Sequence, residues 1–209
     1  MKTIEQLDAM SIEEQWKYFG TPENNEFEIR MSKERATYCA KDYPELYENK
    51  IIHDMGCGYG VAAKFLAENF KCTVVGIEAH DVALKICNEQ NKHPKITYAK
   101  GLVSKTNLPS ESADIVHVVE VIEHLTMDER DLAIKEWRRL LKPEGLLYIT
   151  TPELRGRKEE FPKGSHVTEY EFDELKEILS KEGFKLCWFK RKYQTDEISM
   201  ALMFEKVSK

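Results

Sequence analysis

The sequence predicts an α/β protein, a doubly wound and mostly parallel sheet closed by an antiparallel hairpin. Three observations carry that reading. Short apolar runs alternate with helical patterns from Lys50 onward, a glycine-rich turn joins the first run to the first helix, and the last two runs follow each other without a helix between them. Strands separated by helices build βαβ units, whereas neighbouring strands that lack a crossover pair antiparallel.

Each element follows from its residue pattern. Ile51-Ile52 before Asp54 reads as a strand, VAAKFLAENF (61–70) as a helix and TVVGI (73–77) as a second strand. Val82 to Gln90 is helical with Ala83, Ile86 and Cys87 on one face; Ile96 to Ala99 is a short strand and Ala113 to Val119 a stronger one. Asp128 to Leu141 spaces Ala133, Trp137, Leu140 and Leu141 as a helix, Lys142-Pro143-Glu144-Gly145 reads as a breaker, and LLYIT (146–150) as the next strand. Phe172, Leu175, Ile178 and Leu179 stripe a helix that stops near Gly183. Phe184 to Phe189 and Ile198 to Phe204 then make the hairpin, joined by the polar stretch Lys190 to Glu197. Residues 1–45 read as a helical arm or lid carrying Trp16, Tyr18 and Phe19, and residues 46–209 as the single main domain.

Composition narrows the function classes. Hydrophobic residues at 42% and charged residues at 33% describe an ordinary globular chain, and the formal net charge of -6 argues against bulk attraction to a nucleic-acid backbone. Arg155, Arg157, Lys158 and Lys163, or Lys190, Arg191 and Lys192, read as solvated charges or as a local basic patch. The five cysteines are scattered with no C-x-x-C pair, which fits reduced thiols better than disulfides or a zinc site. No apolar run approaches the ~20 residues of a membrane span. The N-terminus is too polar for a signal peptide. A cytoplasmic protein is expected.

The sharpest signal is Asp54-Met55-Gly56-Cys57-Gly58-Tyr59-Gly60, a carboxylate and three alternating glycines between strand and helix. Glycines let the backbone turn tightly and let a ligand approach a helix N-terminus. The spacing is G-x-G-x-G, and Val61 stands where a dinucleotide-binding G-x-G-x-x-G needs glycine. Asp54 would repel a pyrophosphate and attract an ammonium group, directly or through water. Glu78, about 20 residues further on at the end of the next strand, is placed to accept both hydroxyls of a ribose.

With these residues the chain, from about Lys50 to its end, resembles the class I S-adenosylmethionine-dependent methyltransferases. LPSESADIVHVVEVIEHL, LLKPEGLLYITTPE and HVTEYEFDELKEILSKEGF resemble that family's fourth strand and loop, its fifth strand, and the helix before its final hairpin. The resemblance implies a Rossmann-like seven-stranded sheet with the last strand antiparallel. It implies S-adenosylmethionine as cofactor, with Asp54, Gly56, Cys57, Gly58 and Gly60 on the methionine part, Glu78 on the ribose and Ala79 on the adenine. Relatives place an Asp after the third strand for the adenine amino group. This chain has Gly101-Leu102-Val103-Ser104, so the backbone at Leu102 or the Ser104 side chain is expected to take its place.

The loop after the fourth strand is where the reactive methyl group faces in this family. Here it reads Glu120-Val121-Ile122-Glu123-His124, in which positions three and four apart share a face of a helical turn. In one reading Glu123 and His124 cap the loop, Glu120 lies beside the cofactor as a catalytic and binding residue, and His124 or His166 is a general base. In the other, Glu120, Glu123, His124 and His166 bind a divalent metal that holds vicinal hydroxyls. The second resembles the small-RNA terminal 2′-O-methyltransferases and some quinone-pathway O-methyltransferases, although the RNA enzymes carry more than one histidine in the later loop. His53 and His117 read as sheet-packing residues, and Tyr170 as packing or an acceptor-pocket wall. The leading expectation is O-methylation of a small polar acceptor. The alternatives are metal-dependent 2′-O-methylation of an RNA 3′ terminus, or a cofactor-binding partner without chemistry.

Overall fold

A computed structural model describes residues 26–154, 166–193 and 198–207. The elements are α1 (Glu26–Ala36), α2 (Tyr38–Asp42), β1 (Ile51–Met55), α3 (Val61–Phe70), β2 (Thr73–Glu78), α4 (Asp81–Gln90), β3 (Ile96–Lys100), β4 (Ala113–Val119), α5 (Met127–Leu140), β5 (Leu141–Pro152), α6 (Phe172–Lys181), β6 (Phe184–Tyr193) and β7 (Ile198–Lys206). They form one seven-stranded sheet in the order β3-β2-β1-β4-β5-β7-β6. β7 runs antiparallel to both β5 and β6, while β1 to β5 pair parallel wherever they adjoin. The doubly wound sheet with its antiparallel last strand is thus the one the sequence predicts.

Alternation along the strands sends residues to two cores. Val116 and Val118 of β4, Leu147 and Ile149 of β5, and Leu202 and Phe204 of β7 face α5 and α6, which bring Trp137, Leu140, Leu175 and Leu179. Ile52, Ile115, Tyr148 and Met203 face the other way, against Leu66 and Ala67 of α3 and Tyr38, Cys39 and Ala40 of α2. The chain just before β1 is therefore built into that second layer. Trp16, Tyr18 and Phe19 lie outside the described residues, as do Arg155, Arg157, Lys158 and Lys163.

One boundary departs from the sequence reading. The α5 helix starts with a capping box, in which Thr126 accepts from Glu129 N–H and the Glu129 carboxylate accepts in return. It ends at Leu140, and Leu141 already pairs with Ala113 in the sheet. The Lys142–Gly145 stretch is not a break between helix and strand but an irregularity inside β5. Register slips there, with Leu141 opposite Ala113 and Leu146 opposite Ile115. Glu144 takes φ of +60° within the slip, and the Lys142 ammonium ties it down on Asp114 at 2.7 Å.

Candidate active site

The strand order reverses between β1 and β4, and in such sheets ligands bind in the crevice beyond the carboxyl ends of the strands at that point. Two loops flank it, residues 56–60 after β1 and residues 120–124 after β4. The first is drawn towards β2 because Gly56 and Cys57 N–H both donate to the Ile77 carbonyl, at 2.8 and 3.0 Å. Gly58 and Gly60 then take φ of +53° and +77°, the left-handed region that side-chain-bearing residues avoid. Gly60 has a second constraint: an added Cβ would run into the Tyr98 hydroxyl. That ring reaches the turn because Gly76, its neighbour on β2, leaves the space open. Tyr98 Oη donates to the Gly60 and Asn91 carbonyls at 3.3 and 3.0 Å, and Asn91 Nδ2 donates to the Tyr59 carbonyl at 2.7 Å. Contact with Cys87, together with burial, holds the Cys57 thiol well above the usual range, so it packs as a neutral thiol.

Glu78 is aimed by the backbone. Its Oε1 accepts from Ala79 and His80 N–H at 2.8 and 2.9 Å, and its Oε2 accepts from Gly58 N–H at 3.0 Å. The carboxylate sits at the N-terminal end of α4, where the helix dipole favours a negative charge. It therefore joins the glycine turn to the end of β2 without any ligand. Beside it, Gly101 N–H donates to the Glu78 carbonyl at 3.1 Å. Leu102 follows, 59% exposed, in a turn closed by Lys105 N–H to its own carbonyl. Glu78→Ala is expected to weaken S-adenosylhomocysteine binding by about 1–3 kcal/mol, the scale of a lost charge-assisted hydrogen bond. It should also lower the unfolding temperature, since three amides lose their acceptor. Calorimetric titration beside a thermal melt checks both.

At the other loop, residues 122–124 form a single 3-10 turn rather than an α-helical face. Glu120 turns away at φ of +53°, donates its N–H to the Thr150 carbonyl, and meets Arg35 of α1 at 3.5 Å. Glu123 is fully buried; its Oε2 accepts from Thr151 Oγ1 at 3.0 Å, and its Oε1 has no hydrogen-bond partner. Burial first, then the Glu120 charge, raises its carboxyl well above the usual carboxylate range. The Glu123 carbonyl accepts from Val167 and Thr168 N–H at 2.7 and 3.0 Å, which brings His166 to the loop. The His124 and His166 rings then meet edge-on, with centroids 5.2 Å apart.

Among the described residues, Glu123, His124 and His166 are the one set whose donor atoms converge for a metal ion, all within 4.8 Å of one another. Glu120 is not in it. His166 Nδ1 lies 2.9 Å from Glu169 Oε1, a side chain only 1% exposed. Sequence reasoning passed over Glu169, although a carboxylate three residues after a histidine in Ser165-His166-Val167-Thr168-Glu169 was a legible signal. It also passed over Arg35, which no motif marks. Tyr170 is fully buried in the core facing α5 and α6, away from solvent. His53 is buried in β1, and burial, with Arg139 and Lys142 adding, pushes it down to about 4, so it stays neutral.

Comparison with known proteins gives the same frame. A family model described as a methyltransferase domain matches residues 53–149. The sterol 24-C-methyltransferase of Kluyveromyces lactis is 26% identical over 155 residues, covering 66% of this chain and 41% of that protein. The ubiquinone biosynthesis O-methyltransferase of Histophilus somni is 26% identical over 160 residues, covering 72% of this chain and 65% of that one. The chain thus spans less than two thirds of either relative. Among solved structures, a Pyrococcus horikoshii protein superposes with a TM-score of 0.76 at 20% identity, covering 94% of this chain and all of its own. Glycine turn, Glu78, strand order and sequence matches together support the assignment of the chain as a class I S-adenosylmethionine-dependent methyltransferase.

Proposed function

We propose that the chain transfers the methyl group of S-adenosylmethionine to a hydroxyl of a small polar acceptor, with His166 as the base. The observation that carries this is the His166–Glu169 contact at 2.9 Å beside the His124 ring. A sulfonium methyl is already activated, so the protein must align the nucleophile, exclude water and remove a proton. A buried carboxylate on Nδ1 fixes the imidazole tautomer and leaves Nε2 to accept that proton. In this reading Asp54 and the glycine turn hold the methionine end, Glu78 the ribose, and Ala79 and Leu102 flank the adenine. Methyltransfer to oxygen is named for one relative and to carbon for another, so the acceptor atom rests on this histidine pair.

One observation supports a second reading, a divalent metal held by Glu123, His124 and His166. Glu123 Oε1 is buried without a partner 4.0 Å from His124 Nε2, a carboxylate that a cation would satisfy. The mixed oxygen and imidazole set suits Mn²⁺ or another transition ion better than Mg²⁺. Such an ion would lower the pKa of a bound hydroxyl. Glu169 would then orient His166 from behind.

An RNA terminus is the less fitting acceptor for a chain of net charge -6. Incubation with methyl-labelled cofactor and a cell extract separates the two. Label is expected in the small-molecule fraction, and label confined to RNA, with salt-sensitive RNA binding, would refute the proposal. No helix among the described residues is long and apolar enough to cross a membrane.

A further inference from the structure

Asp54, His117 and Tyr148 stand side by side on β1, β4 and β5, paired in register on one face of the sheet. All three are buried, yet this row is where α1 ends. The last carbonyls of a helix lack partners within it. Here Tyr148 Oη donates to the Arg35 carbonyl and His117 Nε2 lies 3.1 Å from the Ala36 carbonyl. A carbonyl only accepts, so the contact assigns the proton to Nε2. The Tyr148 ring stacks on the imidazole at 4.6 Å and Tyr47 abuts its edge, which holds the ring in that orientation.

With Nε2–H committed to α1, Nδ1 is the ring atom turned to the other side, and in the neutral tautomer it is an acceptor. What it faces is Asp54 Oδ1, 3.7 Å away. Nδ1 has no hydrogen-bond partner, and neither has Asp54 Oδ2. Nδ1 and Oδ2 are thus buried acceptors left without a donor, which is costly, and Nδ1 lies beside the other oxygen of the same carboxylate. The separation lies within reach of one donor atom carrying two or more hydrogens. An ammonium group is such a donor and carries the charge Asp54 attracts; water is the neutral substitute.

We propose that His117 is a second acceptor for the ammonium group of the cofactor's amino-acid end, held in its accepting tautomer by the C-terminus of α1. The inference rests on the reading that Asp54 meets that ammonium. It makes α1 more than packing: by engaging Nε2, the helix end decides which face of the histidine the ligand meets. His117 is thus a residue of cofactor specificity, separate from the histidines of the acceptor side.

The test compares two ligands by calorimetry. S-adenosylhomocysteine carries the amino acid; 5′-methylthioadenosine keeps adenine and ribose but lacks it. His117→Gln retains a donor for the Ala36 carbonyl but no acceptor at the Nδ1 position, its amide oxygen lying further along the side chain, whereas His117→Phe removes both nitrogens and retains the ring and its stack. Both variants are expected to bind S-adenosylhomocysteine about tenfold more weakly and 5′-methylthioadenosine within twofold of the parent protein. Equal losses for the two ligands would reduce His117 to a structural role. Unchanged or tighter S-adenosylhomocysteine binding would mean that His117 opposes the ammonium, and would also overturn the proposal. Asp54→Asn, measured in parallel, tells the two levels apart. If it leaves S-adenosylhomocysteine affinity intact, the Asp54 reading itself fails; if it alone weakens binding, only the role of His117 fails.

Discussion

His166→Ala is expected to lower kcat by about 10²- to 10⁴-fold, the usual worth of a positioned general base, while S-adenosylhomocysteine binds as before. The selectivity follows from geometry. His166 reaches the β4 loop through the Val167 and Thr168 amides on the Glu123 carbonyl, whereas the glycine turn and Glu78 are tied to β2 and α4. Glu169→Gln should give a smaller loss, because it weakens the orientation of the imidazole and not its presence. The same variants decide between base and metal. If His166 acts alone, chelation leaves the rate unchanged and Glu123→Gln is mild. If Glu123, His124 and His166 hold an ion, chelation stops turnover, Mn²⁺ restores it, and Glu123→Gln removes both metal dependence and activity. A His166→Ala variant with an unaltered rate would refute both.

The second large effect is expected at Gly58. A valine at φ of +53° is a β-branched side chain in the left-handed region, which costs on the order of 1–3 kcal/mol. The turn would relax towards negative φ, and the Gly58 N–H would leave Glu78 Oε2. In the proposed cofactor placement both the methionine and the ribose contacts depend on that junction, so Gly58→Val should abolish measurable S-adenosylhomocysteine binding. The rest of the fold should persist, since neither core includes Gly58. Calorimetry together with a thermal melt checks the two halves, and a folded variant of unchanged affinity would place the cofactor elsewhere.

The fold, the glycine turn and the Glu78 carboxylate beside it were legible because they rest on local rules. Strand and helix periods, a turn that only glycine adopts and a carboxylate at a strand end are written within a few residues of each other. The slip at Lys142–Gly145 was not legible, because Pro143 and Gly145 signal a break equally well between elements and inside a strand; only the Ala113 pairing decides. The loop after β4 was half legible. The E-x-x-E-H spacing suggested one helical face, but Glu120 in the left-handed region breaks the helix before it starts and sends its carboxylate to Arg35. The contact between His124 and His166 depends on backbone bonds across some forty positions, which no periodicity encodes. His117 read as a packing residue, and its packing is real; that its two nitrogens face a helix end and a carboxylate is a property of register between β1, β4 and β5.

Delivery of a methyl group from S-adenosylmethionine to oxygen is the reaction proposed for this site. The most direct measurement is turnover of cofactor carrying a heavy-isotope methyl group with a pool of hydroxylated metabolites, read by fragmentation mass spectrometry. A labelled methoxy product formed one for one with S-adenosylhomocysteine is expected, together with its loss in His166→Ala. Label recovered on nitrogen or carbon would contradict transfer to oxygen, as would product without S-adenosylhomocysteine.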